Sequence, residues 1–189
     1  SRPRSDERRA SLLQAATRVI SANGLAAAST SVIAQEAGVS NGSLFVYFET
    51  KSALLTELYV ALKKEMGDAA VAGLPSTGDP RERLHRMWVQ WLAWATSNPD
   101  KRRALAQLEA ADDITEQTHA LVRESQRDMA ALVELSRAGG ALAGLPISFA
   151  LTITSAIADA TMDLLIRDPH GPAERGEAAF DAVWRVLAG

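Results

Sequence analysis

Leu12, Leu13, Ala16, Val19 and Ile20 recur at steps of three and four, the period of one helical face. Asn23-Gly24 closes that segment. Between Ser29 and Lys51 the pattern shortens. Val32, Ile33 and Ala37 form a small apolar face, Gly38 interrupts it, and Val39, Leu44 and Phe48 resume it. The spacing predicts two short helices about a tight corner. Ser29 or Thr30 caps the first, because a hydroxyl there accepts from an otherwise orphan backbone N–H. Gly38 supplies the left-handed residue past its last turn, and Ser40 caps the second. Thr50 is placed to cap a further helix with Leu54, Leu55, Leu58, Tyr59 and Leu62 on its inner side. Gly67 and the run Gly73 to Pro80 are expected to end it.

Past Pro80 the pattern predicts a succession of helices and no strand. Pro80 suits the first turn of one reaching Asn98. Others are expected from Pro99 to about Ala111, Ile114 to Ala138, Pro146 to Ile166 and Ala173 to Leu187. The fold class is all-α: an N-terminal three-helix head over residues 1–55 and a larger C-terminal helical domain over 56–189. Residues 1–9 form a polar arm with four arginines. Either that arm reaches phosphates or a minor groove, with Arg8 and Arg9 the better placed, or it frays as termini do.

The paired short helices have helix-turn-helix form, in which the second helix enters the major groove. Ser40, Asn41, Gly42 and Ser43 lie at its groove-entering end. Asn41 carries the donor and acceptor that address adenine, and Gly42 lets its backbone approach a base edge. Phe45 and Val46 are expected outward, because Leu44 and Phe48 take the inward face. Val46 offers only apolar contact, as with a thymine methyl.

The stretch AQEAGVSNGSLFVYFETKSALL, Ala34 to Leu55, resembles the signature of TetR-type transcriptional repressors. Ala34, Ala37, Gly38, Val39, Ser40, Gly42, Ser43, Leu44, Tyr47, Phe48, Lys51 and Leu54 match in order and spacing, and the detailed resemblance covers roughly residues 8–60. It implies that Ser29, Thr30 and Ser31 meet the phosphate backbone, where hydroxyls and a helix N-terminus attract phosphate. It also implies that Tyr47 and Lys51 hold phosphate. One departure is Phe45, where the family usually has tyrosine. The resemblance further implies double-stranded operator DNA and a small-molecule effector as partners, and a homodimer built by the last two helices.

Composition changes this picture in one respect. The 189 residues carry a net charge of −3, which alone argues against a nucleic-acid binder. Residues 1–51, however, sum to +2 and the remainder to −5. DNA affinity depends on local phosphate neutralisation, so the asymmetry fits a two-function chain. Absence of cysteine excludes a disulfide framework and a thiolate metal site. No metal site or cofactor is expected. Leu145 to Ile166 is the nearest thing to a membrane span and is broken by Asp159 and Asp163. A cytoplasmic protein without a membrane partner is the expectation.

Met87, Trp88, Trp91, Leu92 and Trp94 cluster at helical spacing. They either fill a core or wall a pocket for an apolar or aromatic compound. Given the resemblance, Trp88, Trp91 and Leu92 are candidate ligand contacts, with Leu105, Leu108, His119, Met129 and Phe149 on weaker grounds. The helix from Pro146 is apolar nearly all round, so it should be covered on more than one side. Ile153, Ile157, Ala160 and Leu164, with Phe180, Val183, Trp184 and Leu187 of the last helix, are the expected dimer face. Thr152, Ser155, Asp159 and Asp163 line up between the stripes. They serve a ligand, hydrogen-bond across the seam, or simply face water.

No activated nucleophile, metal-spaced set or glycine-rich phosphate loop supports an enzyme. A third possibility is a sequestering or interaction module whose head no longer reads DNA.

Overall fold

The computed structural model describes residues 2–189, and those residues hold ten α-helices and no strand. They are α1 (Arg2–Asn23), α2 (Thr30–Glu36), α3 (Asn41–Tyr47), α4 (Lys51–Val71), α5 (Pro80–Ser97), α6 (Pro99–Glu109), α7 (Glu116–Ser125), α8 (Arg127–Ser136), α9 (Ile147–Arg167) and α10 (Pro172–Ala188). A single 3-10 turn, Leu25–Ala27, joins α1 to α2. The all-α expectation holds.

Local chemistry explains most of the ends. Ser29 accepts from the Val32 N–H and Ser40 from the Ser43 N–H, each capping its helix as expected. Gly38 sits at φ +72°, a left-handed conformation that costs glycine little. The Thr50 hydroxyl accepts from the Ala53 N–H at 3.0 Å. Asp79 caps α5 through the Glu82 N–H, with Pro80 in its first turn.

Three boundaries differ from expectation. The arginine-rich arm is helical from Arg2, since Pro3 lies in the first turn, where a missing N–H is harmless; Ser1 lies outside the described residues. Gly67 is buried inside α4, which runs on to Val71. The segment expected as one helix from Ile114 to Ala138 is two, parted at Gln126.

The chain divides into two compact units. The first comprises Ser1–Lys63 and Pro99–Val122, the second Lys64–Asn98 and Arg123–Gly189. This division differs from a boundary near residue 55, because α6 packs on α1 and so joins the head. Gln107 on α6 shows why. Its Oε1 accepts from the Leu25 N–H at 2.7 Å and its Nε2 donates to the Ile20 carbonyl at 3.2 Å. The first bond gives a partner to the Leu25 N–H at the start of the 3-10 turn, and the second adds a donor to the Ile20 carbonyl, which also accepts from the Gly24 N–H at 2.9 Å. Leu12, Ala16, Ile20, Ile33, Leu44, Phe48, Leu54 and Leu58 form the head's core with Leu105 and Leu108.

In the second unit α5, α8, α9 and α10 each pack on the other three. Trp88, Trp91, Phe180, Val183, Met162 and Leu187 are buried among them, each large apolar side chain contributing roughly 1.5–3 kcal/mol by burial. The α9 helix is long and apolar enough to cross a membrane by length and composition. It also contains Asp159 and Asp163, and buries Ala150, Thr154, Ala158, Thr161, Met162 and Leu165 within its own unit.

Candidate nucleic-acid interface

Leu44 and Phe48 hold α3 to the head, fully buried. With those two positions inward, the helical period turns the residues between them out. Val46 is 79% exposed and Phe45 44%. Ser40, Asn41 and Gly42 are exposed as well, and Ser43 and Tyr47 are half-buried. Ser29 and Ser31 are exposed at the start of α2, with Thr30 half-buried beside them. Each candidate contact from Ser29 to Val46 therefore lies on the surface or at its edge, as does Lys51 at the start of α4.

The hydroxyls at this surface are paired with one another. Ser40 Oγ lies 2.9 Å from Ser43 Oγ, and Ser29 Oγ 3.2 Å from Ser31 Oγ. Each pair stands at a helix N-terminus, where free N–H groups and the helix dipole favour an anion. Arg18 adds an ion pair with Glu36 at 2.9 Å, which partly neutralises the acidic end of α2. Spacing alone had not flagged that pair, because the partners lie on different helices.

Arg9 departs from expectation. It does not extend from the arm toward a phosphate. Its Nε donates to Glu57 Oε1 at 2.6 Å, its Nη2 to Glu57 Oε2, and its Nη1 to the Tyr47 carbonyl at 2.8 Å. The guanidinium also lies over the Phe48 ring, 4.6 Å from its centroid. The Glu57 hydrogen bond raises the already high Arg9 pKa further. Burial opposes this, and the charge of Glu57 reinforces it.

The expected ligand contacts are divided between the two units. Trp88, Trp91, Leu92 and Met129 are buried in the second unit. Leu105 and Leu108 belong to the first and are spent on its core. His119 is there too, with its Nδ1 2.9 Å from the Tyr59 hydroxyl. Phe149 belongs to the second unit but is 46% exposed. Within α5, the indole N–H of Trp88 donates to the Gly176 carbonyl at 3.0 Å and that of Trp94 to Glu65 at 2.8 Å. That of Trp91 is buried without a partner.

The expected dimer face is corrected in part. Phe180, Val183 and Leu187 point into the chain's own core and are 2% exposed or less. Periodicity marks the apolar side of α10, but α5, α8 and α9 already cover it. Ile153, Ile157 and Trp184 are half-buried, and Ala160 and Leu164 are exposed. Of the polar line, Thr152 is exposed and returns its hydroxyl to the Ser148 carbonyl at 2.8 Å, while Ser155, Asp159 and Asp163 are half-buried.

Residues 12–58 match the family model described as bacterial regulatory proteins, tetR family. The HTH-type transcriptional regulator BetI of Rhizobium meliloti is 40% identical over 77 residues, 41% of this chain and 38% of that protein. BetI of Yersinia pestis (strain Pestoides F) is 38% identical over 79 residues, 41% of this chain and 40% of that one. The chain thus spans about two fifths of the length of these curated relatives. Among solved structures, a protein of Shewanella sp. PV-4 described as of the tetR family superposes with a TM-score of 0.86. It is 26% identical, over 96% of this chain and 98% of that one. A TetR family transcription regulator from Marinobacter aquaeolei VT8 has a TM-score of 0.87 at 24% identity, covering 100% and 99%. The head of this chain, residues 12–58, is thus that of the bacterial regulatory proteins of the tetR family, and its whole helical layout is similar to that of solved TetR-family regulators.

Proposed function

We propose that the chain is a ligand-responsive transcriptional repressor. Two copies hold a double-stranded DNA operator, and an apolar or aromatic small molecule releases them. One observation carries the DNA reading: Val46 is 79% exposed between the buried anchors Leu44 and Phe48. An apolar side chain held out on a short capped helix costs free energy unless something covers it, and a major groove with its thymine methyls can. Ser29, Thr30, Ser31, Ser40, Tyr47 and Lys51 then position the head on phosphates, and Asn41, Gly42, Ser43, Phe45 and Val46 face base edges.

Dimerisation follows from the outward side of α9. Phe149, Ile153, Ala156, Ala160 and Leu164 recur there at helical spacing, and none is fully buried. A second copy covering this stripe accounts for the apolar character of α9 on both faces. Two heads then address half-sites about 34 Å apart. A partner of this kind places the protein in the cytoplasm.

The effector site is assigned to the second unit, around Trp91. All four methionines of the chain, Met66, Met87, Met129 and Met162, are buried in that unit. Thioether side chains repack readily around varied apolar shapes. The unpartnered Trp91 N–H favours an effector carrying one hydrogen-bond acceptor. The shift reaches the heads through α4, and the loss of operator affinity equals the effector's preference for the released state.

A gel-shift titration on promoter fragments with salt varied tests the reading. Lys51→Ala should weaken all sequences and flatten the salt slope by roughly 0.9. Asn41→Ala or Val46→Ala should change which sequence is preferred, by about 1–3 kcal/mol at one base pair. An unchanged affinity and slope in Lys51→Ala would show that the head does not dock in this way. Phe45, exposed and without the hydroxyl usual in the family, favours one rival: a module that binds small molecules but not DNA. Wild-type protein binding no fragment at low salt would support that rival. The regulators named among its relatives leave an enzyme without support.

A further inference from the structure

The last turn of α3 leaves carbonyl groups that the helix itself cannot satisfy. Its C-terminal end also favours a cation. Arg9 of α1 meets both needs through its bond to the Tyr47 carbonyl. The same guanidinium grips both carboxylate oxygens of Glu57 on α4 and covers the Phe48 ring. One side chain thus joins three helices where the outward face of α3 gives way to its buried anchor.

Charge argues that this cation is not meant for DNA. Glu57 neutralises it in a two-pronged pair, and a carboxylate beside a phosphate would repel it. A planar guanidinium can hold a carboxylate fork and a carbonyl together, which an ammonium cannot. Pairs as exposed as this one usually add little to stability. Their worth here lies in direction: the bond to the Tyr47 carbonyl fixes where α3 ends, and Tyr47 and Val46 are within two residues of that point.

We infer that Arg9 and Glu57 are a positioning pair for DNA reading, fixing the exit angle of α3 without touching the duplex. The inference rests on the DNA-binding reading above.

The test compares wild type, Glu57→Gln, Arg9→Lys and Arg9→Ala, at a temperature where circular dichroism shows all of them folded. Two duplexes serve as probes: one selected by the wild type from a random pool, and a scramble of equal composition. Both are titrated over a salt series. Glu57→Gln should bind the selected duplex about ten-fold more weakly, although it removes a negative charge. Its affinity for the scramble should hold or rise, and its salt slope should stay as in the wild type. Arg9→Lys keeps the charge and loses the fork, so it should follow Glu57→Gln. Arg9→Ala should lose selected-duplex affinity at an unchanged slope.

Three results would overturn the pairing role. Arg9→Ala weakening both duplexes alike with a slope smaller by roughly 0.9 would make Arg9 a phosphate ligand. Glu57→Gln binding the selected duplex as tightly as the wild type would make the pair purely structural. Full activity of Arg9→Lys would remove the need for a fork. A wild type that selects no duplex would instead sink the DNA reading itself, and the pairing role with it.

Discussion

Trp91 stands edge-on to Trp88 with ring centroids 6.1 Å apart, yet only Trp88 has an acceptor for its indole N–H. The two rings share a helix and a core but differ in one bond. Substituting phenylalanine at each position should therefore give different costs. Trp88→Phe loses volume and the indole hydrogen bond to the Gly176 carbonyl, so about 2–4 kcal/mol of stability is expected to go. Trp91→Phe loses similar volume but also removes an unsatisfied donor that costs about 1–3 kcal/mol. Its net effect should lie within about 1 kcal/mol of zero. Urea unfolding of both variants checks the difference, and equal losses would mean that the Trp91 N–H is satisfied in solution.

Gly140 and Gly144 lie four residues apart in the loop before α9, and only the first is confined. A Cβ on Gly140 would sit 2.0 Å from the Leu187 carbonyl oxygen, whereas one on Gly144 meets nothing within 4 Å. The obstacle at Gly140 is backbone, which cannot rotate away. Gly140→Ala should cost more than about 2 kcal/mol by displacing the last turn of α10. Gly144→Ala should be neutral or slightly stabilising, because it narrows the unfolded ensemble without a clash. Thermal melts of the two variants suffice.

The corner between α9 and α10 is tied by Asp168, which His170 Nδ1 approaches at 2.7 Å and Arg175 Nη2 at 2.9 Å. The hydrogen bond with His170, then that with Arg175, hold the Asp168 carboxyl below its ordinary pKa. The sign follows from which state binds the proton more weakly. With the folded value depressed, the stabilisation is complete above the ordinary carboxylate pKa of about 3.9. It fades as pH falls through the lower folded value. Asp168→Asn should flatten the acid limb of stability against pH below about pH 4. An acid limb identical in wild type and variant would show that the tie is absent in solution.

What could be foreseen from residues alone depended on range. The caps at Ser29, Ser40 and Thr50 and the turn at Gly38 involve partners within four residues, and each appears where the chain pattern puts it. The outward set of the second reading helix was legible for the same reason, since Leu44 and Phe48 leave Phe45 and Val46 no other side. Illegible features needed a distant partner. The apolar face of α10 is plain in sequence, but its coverage by α5, α8 and α9, rather than by a second subunit, is a tertiary fact. Arg9 looked like an arm residue because Glu57 lies 48 positions away. Leu105 and Leu108 have the spacing of pocket walls and of core alike, and Gln107 between them decides which.

Ala160 and Val183 separate a surface shared by two copies from a core owned by one. Both carried the same expectation, yet Ala160 is exposed on α9 and Val183 is 1% exposed on α10. Arginine at Ala160 adds a long charged side chain to a surface that is free in the single chain. Stability of the monomer should change by no more than about 0.5 kcal/mol. If α9 pairs with its counterpart, the same arginines would be desolvated near one another across a two-fold axis. The dimer should then dissociate and operator binding fall with it, while circular dichroism stays that of the wild type. Arginine at Val183 must be buried without a partner and should cost about 3–5 kcal/mol, unfolding the second unit whatever the oligomeric state. Sedimentation velocity and a melt on each variant distinguish the cases. An Ala160→Arg protein that remains dimeric would move the interface off the outward stripe of α9.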